Sequence, residues 1–348
     1  MSFRGTEFIA RAIAAGGALA LTLAMTLGAA LAQDKTYVMK ISTPTLNAAP
    51  DRYANNLAAA IAKDSGGRIK TEVYPAGQLG SIPRQIEGTQ FGSIQCEVAP
   101  PEFMVGLDER FEMMAAPGLV SSMEHGQRLA ADPAVLKLML GLGADKGLKG
   151  VGLFLGEPSG VIAKSPIRHL EDFKGKKIRT FASQFQSTAW SRLGATPIAM
   201  SLGDVLPALQ QGAIDGAVAG TQVYTGMHFY DAAKYVTMIG QPAIFLIVEI
   251  NRKWYESLPA DLQQVVDKDA AAESVAINPI AIDLENKANK GWVDNGGELI
   301  NLPPDEQASL LKTLSSVGQD VSKTKPALDA AYQVVSEAAQ RTRQSPSQ

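Results

Sequence analysis

Strand-like runs alternate with amphipathic helices twice over in this chain, and that repetition restricts the fold more than any other feature. Tyr37 to Ile41, Ile69 to Val73 and Ile94 to Val98 have the β-branched, aromatic and apolar content of strands. A helix from Asp51 to Ser65 lies between the first two, with Leu57, Ile61 and small alanines on one side and Gly66-Gly67 as its stop. A long helix is expected from Met123 to about Lys146, then a strand at Val151 to Leu155. The order recurs with strands near Val161 and at Lys177 to Arg179, a helix from Phe185 to Leu193, a strand at Thr196 to Ala199 and a helix from Leu202 to Gln211. Such alternation builds mostly parallel sheets with helical crossovers, and two successive runs imply an α/β chain with two lobes.

The C-terminal part reads differently. Pro259 to Asn295 keeps helical spacing through Leu262, Val265, Val266, Val275, Ile277, Ile280, Ile282 and Leu284. A helix of that length can lie across both lobes, with a kink expected at Pro279. Ala327 to Ala339 reads as a last helix and Arg341 to Gln348 as a loose tail. The apolar run Ala243 to Val248 is too short to span a bilayer and reads as a buried strand.

Near the N-terminus, Arg4 and Arg11 precede an apolar run from Ala12 to Ala32 that closes with Ala30-Leu31-Ala32. Charge, apolar core and small-x-small cut site in that order make an export signal. A transmembrane anchor is the rival, since the run is near the length that spans a bilayer. Its Ala and Gly content favours cleavage after Ala32, leaving Gln33 first. The expected lobes are then residues 33–156 with 245–284, and residues 157–244 with 285–348.

A formal charge of −3 without any Lys/Arg block argues against nucleic acid or an anionic membrane as partner. Cys96 is the only cysteine, so no internal disulfide can form, and its strand-like surroundings suit a buried, inert thiol. Catalytic patterns are lacking. His125, His169 and His228 are scattered, Gly141-Leu142-Gly143 lacks a third glycine in register, and no Gly-x-Ser-x-Gly or Walker pattern occurs. Asp204 reads as a helix cap and Asp215 as a turn residue. No acidic cluster has calcium spacing, so neither metal nor cofactor is expected.

Arg179 closes the stretch Gly175-Lys176-Lys177-Ile178-Arg179. A guanidinium offers a rigid fork of donors suited to a carboxylate. A surface arginine paired with Glu171 or Asp172 fits the same spacing.

Several segments together carry a resemblance: Tyr74-Pro75-Ala76-Gly77-Gln78-Leu79-Gly80, Leu170 to Arg179, Leu193 to Met200, Ala208 to Gly216 and Phe229 to Val236. In order and spacing, from about Lys35 to Val266, they resemble the substrate-binding subunits of tripartite ATP-independent periplasmic (TRAP) transporters, the DctP-like family. The resemblance implies a type II-like, two-lobed periplasmic binding protein with a long C-terminal helix spanning both lobes. It further implies hinge closure on a small organic acid, delivery to integral-membrane TRAP permease subunits, and Arg179 as the carboxylate clamp. A periplasmic monomer without enzymatic activity is expected.

The departures from that pattern narrow the ligand. Ser159 stands where many relatives carry a second arginine, Val218-Ala219 where they carry Glu-Asn, and Gln241 where a histidine is common. Fewer polar anchors suit a monocarboxylate with an apolar or aromatic body, because stripped hydroxyls need partners. Phe181, Leu202, Phe103 and Tyr224 are expected to supply the wall, with Ala219 beside them. Gln184, Ser159, Gln241 and Thr43 are expected to supply hydrogen bonds. The alternatives are an exported enzyme on this scaffold using Glu97 or Glu102 as base, and a ligand-presenting sensor component.

Overall fold

The computed structural model describes residues 35–241 and 243–343. The expected export segment, its cut site after Ala32 and the end of the tail, residues 344–348, lie outside the described residues. Among those described, no helix is long and apolar enough to cross a membrane.

The chain runs through β1 (Tyr37–Ser42), α1 (Ala49–Asp64), β2 (Ile69–Tyr74), α2 (Ile82–Phe91), β3 (Cys96–Ala99), α3 (Met123–Ala130), α4 (Pro133–Met139) and β4 (Leu148–Glu157). It continues with β5 (Gly160–Ala163), β6 (Lys177–Thr180), α5 (Gln184–Arg192), β7 (Thr196–Ala199), α6 (Leu202–Gln211), β8 (Gly216–Ala219), α7 (Thr221–Gly226) and β9 (Tyr235–Met238). After β10 (Ile244–Asn251) come α8 (Arg252–Glu256), α9 (Ala260–Asp294), β11 (Glu298–Asn301), α10 (Pro304–Leu314), α11 (Val317–Ser322) and α12 (Pro326–Arg343).

Two sheets define the two lobes. The first has five strands in the order β2-β1-β3-β10-β4, and the second has six in the order β11-β9-β5-β8-β6-β7. Within the second, β6 runs parallel to β7 and β8, while β5 is antiparallel to β8 and β9. The chain passes from the first sheet to the second after β4, returns before β10, and passes over again along α9 to β11. Strand β10 lies between β3 and β4 with every residue buried, as its apolar run Ile244 to Val248 requires, and it carries Glu249 and Asn251 into the interior as well.

Helix α9 is one element of 35 residues and packs against α1 and β4 of the first lobe and α7 of the second. Pro279 lies on its exposed side and the helix continues through it. The single helix expected from Met123 to Lys146 is instead broken. Asp132 leaves helical geometry, its side chain accepts the N–H groups of Ala134 and Val135, and Pro133 starts a new helix because it cannot continue the old one.

The last helix returns to the first lobe. Arg128 Nε donates to Thr342 O at 2.9 Å, and His125 Nε2 lies 2.9 Å from Ala339 O. The expected grouping of residues 285–348 with the second lobe therefore does not extend to α12.

Candidate functional site

Arg179 sits on β6 with Ile198 of β7 on one side and Ala217 of β8 on the other. Its Nε donates to Met200 O at 2.9 Å and its Nη1 to Val218 O at 2.8 Å, so carbonyls at the ends of both neighbouring strands hold the fork in place. The guanidinium carbon lies 4.7 Å from the centre of the Phe181 ring, a cation–π geometry. The residue is 1% exposed.

Neither Glu171 nor Asp172 pairs with it. Asp172 accepts the backbone N–H groups of Arg168 and His169 at 2.8 and 3.0 Å. Among the described residues no carboxylate forms an ion pair with Arg179, and both its hydrogen bonds go to neutral carbonyls. Burial draws its pKa down to about 10, which leaves it cationic at neutral pH. A buried cation without a counter-ion is costly, and an anion brought to it removes that cost.

Arg179 opens onto a cavity walled by both lobes. Pro44, Thr45, Pro50, Pro100 and Phe103 come from the first; Phe181, Leu202, Ala219 and Val223 from the second; Gly156, Glu157, Ile244 and Leu246 from the crossing strands. Phe103 and Phe181 meet across the gap with ring centres 5.4 Å apart and planes tilted by 34°.

The crossing strands shape the floor through a β-bulge. Ile244 pairs with Glu157 and Phe245 with Leu155, so Gly156 is left over. A Cβ there would come within 2.4 Å of Leu246, which accounts for glycine. The bulge delivers Glu157 to the start of α7, where its carboxyl accepts Gln222 N–H at 2.9 Å. Burial, then the nearby Glu285, pushes the Glu157 pKa well up. Gly220 leaves space for that carboxyl, since a Cβ would lie 2.1 Å from it. Gly220→Ala is therefore expected to lower stability by about 3 kcal/mol in urea unfolding; an unchanged midpoint would contradict this packing.

Of the residues singled out from sequence, Arg179, Phe181, Leu202, Ala219 and Phe103 line one cavity. The others do not. Tyr224 is buried with its hydroxyl 2.6 Å from Ala217 O and 3.1 Å from Gly160 O, bound up between β5 and β8. Gln241 accepts Gly118 N–H at 3.0 Å and donates to Val120 O at 2.6 Å, pinning a loop on a different cavity. Gln184 is exposed at the start of α5 and donates to Thr188 Oγ1. Ser159 is buried with its hydroxyl unpartnered, and Thr43 lies behind Thr45, their hydroxyls 3.4 Å apart. Glu97 and Glu102, the alternative bases, are buried away from the cavity wall.

Sequence reasoning missed Glu157, Thr45 and the pair Ile244 and Leu246. The last two belong to a continuous apolar run recognisable only as a buried strand, and nothing in that run distinguishes the side that faces the cavity. Cys96 is buried, and burial raises its thiol pKa, in keeping with an inert role.

Comparison with known proteins agrees with the two-lobed fold. The family model for DctP, bacterial extracellular solute-binding protein family 7, matches residues 45–324. The uncharacterized protein YiiZ of Salmonella typhimurium is 30% identical over 226 residues, 65% of this chain and 69% of that one. The C4-dicarboxylate-binding periplasmic protein DctP of Rhodobacter capsulatus is 27% identical over 314 residues, 88% of this chain and 92% of that one. Among solved structures, a TRAP periplasmic solute binding protein from Desulfovibrio salexigens with bound orotic acid superposes with a TM-score of 0.83 at 20% identity, covering 88% of this chain and 100% of that one.

Proposed function

The chain belongs to the DctP family of bacterial extracellular solute-binding proteins, the substrate-binding subunits of TRAP transporters, and we propose that it captures a small monocarboxylate with an apolar or aromatic body. The buried Arg179 guanidinium, free of any carboxylate partner among the described residues, carries this reading. It would clamp the carboxylate while Phe103, Phe181, Leu202, Val223 and Leu246 shelter the rest. Apolar burial contributes about 25 cal/mol per Å², whereas sugar hydroxyls would need hydrogen bonds. Among the described residues on the wall only Thr45, Glu157 and Arg179 have polar side chains, and the Glu157 carboxyl is already engaged by Gln222 N–H.

Solved neighbours of the same fold hold acids as different as orotic acid, galacturonate and succinate, so the proposed class rests on the lining of this cavity. Residues of both lobes wall the cavity and Arg179 is buried beneath them, so the lobes would part to admit the acid and close again around it. The mature protein, cut after Ala32 and monomeric, would then hand the acid to its permease subunits.

A thermal-shift screen of aliphatic, hydroxy, keto and aromatic carboxylates tests this. The best monocarboxylate is expected to stabilise the protein by about 2.7 kcal/mol at one hundred times its dissociation constant. Sugar acids or dicarboxylates that stabilise it better than every apolar monocarboxylate would overturn the proposal.

A further inference from the structure

Helix α1 begins without a cap of its own. Ala48 occupies the position where Ser, Thr, Asp or Asn would accept a first-turn N–H, and its side chain has nothing to offer. The N–H of Ala49 goes instead to Gln222 Oε1, 2.9 Å away on α7 of the other lobe. The same amide donates through Nε2 to Gly156 O at 3.1 Å on the crossing strand and to Ala281 O at 3.2 Å on α9. Gln222 is 1% exposed. A single side chain thus ties together the start of a first-lobe helix, the bulged crossing strand, the long helix and the second lobe.

The two surfaces meet closely around it. Gly226 approaches the first-lobe loop so nearly that a Cβ would lie 2.3 Å from Leu46 O. That loop carries Pro44 and Thr45, and with Pro50 of α1 it forms part of the wall over Arg179.

We propose that Gln222 is a positioning residue for closure, an interlobe latch that caps α1 from the opposite lobe and holds the 44–50 segment over the Arg179 cavity. The proposal rests on the hinge-closing reading above but on no particular solute. Parting the lobes returns Ala49 N–H and Gln222 Oε1 to water, because the Ala48 side chain offers no acceptor in its place. The difference is one neutral hydrogen bond, so the closed-to-open ratio depends on it about fivefold.

The test needs no ligand. Lys63→Cys on α1 and Lys174→Cys before β6 place spin labels at two exposed positions, one per lobe, and the buried Cys96 is the only native thiol. Pulsed-EPR distances are compared among the labelled parent, Gln222→Met and Ala49→Pro. Gln222→Met keeps the shape and deletes the amide. Ala49→Pro deletes the donor and sets a ring methylene against Oε1; proline is well tolerated at a first helical position, and Ala48 is already extended (φ −121°, ψ 173°) as a residue before proline must be.

The parent is expected to populate the separation of the closed structure, and each variant to lower its closed-to-open ratio about fivefold or more. Identical distributions in all three proteins, or a parent without the closed separation, would overturn the latch. A purely structural role for Gln222 would lower the melting temperature without moving the distances, and that outcome also counts against it. Loss of acid binding in an Arg179 variant would leave these distances unaffected, so the two proposals fail separately.

Discussion

Arg179→Met is expected to abolish carboxylate capture while leaving the empty protein as stable as the parent, or more so. Removing one partner of a desolvated charge pair costs about 2–5 kcal/mol of affinity, or roughly thirtyfold to several thousandfold. Stability responds differently because among the described residues no carboxylate pairs with the guanidinium, and Asp204 acts on it only at a distance. The substitution gives up hydrogen bonds to Met200 O and Val218 O, about 1 kcal/mol each, and removes a buried cation whose desolvation costs several. Methionine has similar length and packs well against the Phe181 ring. Calorimetry with the best acid and urea unfolding of the empty protein measure the two effects. A variant that unfolds easily yet still binds would make Arg179 a structural residue.

Stability is expected to fall as pH rises from about 5 to 8, opposite to what paired surface carboxylates produce. Glu97 and Glu249 face each other across β3 and β10, both 0% exposed. Glu97 Oε1 and both oxygens of Glu249 have no hydrogen-bond partner, while Ser42 Oγ donates to the other Glu97 oxygen. Burial raises both pKa values well above the usual carboxylate range, with Lys149 partly opposing it at Glu249. Burial also raises Glu102, from 4.5 to about 8.

An unfolded chain releases these protons near pH 4.5 and the folded one keeps them, so the native state binds more protons between those limits. Their stabilising effect is complete below about pH 4.5 and is lost as pH rises through the folded-state values, which for Glu102 means toward 8. For Glu102 alone this amounts to on the order of 3 kcal/mol at pH 7. The lowered pKa values of exposed Asp64, Asp261 and Asp320 act in the opposite sense but exert it at acid pH, and screening weakens them. Urea midpoints at three pH values between 5 and 8 should decline, and Glu97→Gln with Glu249→Gln should flatten the slope and raise the midpoint at the alkaline end. A midpoint that climbs with pH would contradict this account.

Much of the architecture was legible because periodicity survives where burial is one-sided. Alternating strand and helix signals delimited α1, α5, α6 and α9 to within a few residues. The break at Asp132-Pro133 carried a local signal, a capping aspartate before proline, that outweighs the apolar run around it. The return of α12 to the first lobe had no such signal, since it depends on contacts such as Arg128 to Thr342 between segments far apart in sequence.

The site divides along the same line. Arg179, Phe181, Leu202, Ala219 and Phe103 stand at strand ends and helix starts, where α/β folds gather ligand groups. Tyr224, Gln241 and Gln184 have side chains equally able to bind ligand or their own backbone, and the backbone holds Tyr224 and Gln241 here. Glu157 reaches the cavity through the bulge at Gly156, a matter of pairing register that no single segment encodes.

Calorimetric titration of the parent protein with the best acid and with that acid's primary amide isolates the negative charge while keeping the ligand's body. If a buried, carboxylate-free Arg179 is what holds the solute, the acid binds and the amide binds at least about a hundredfold more weakly, a difference near 2.7 kcal/mol. Equal affinities for the two would contradict that claim.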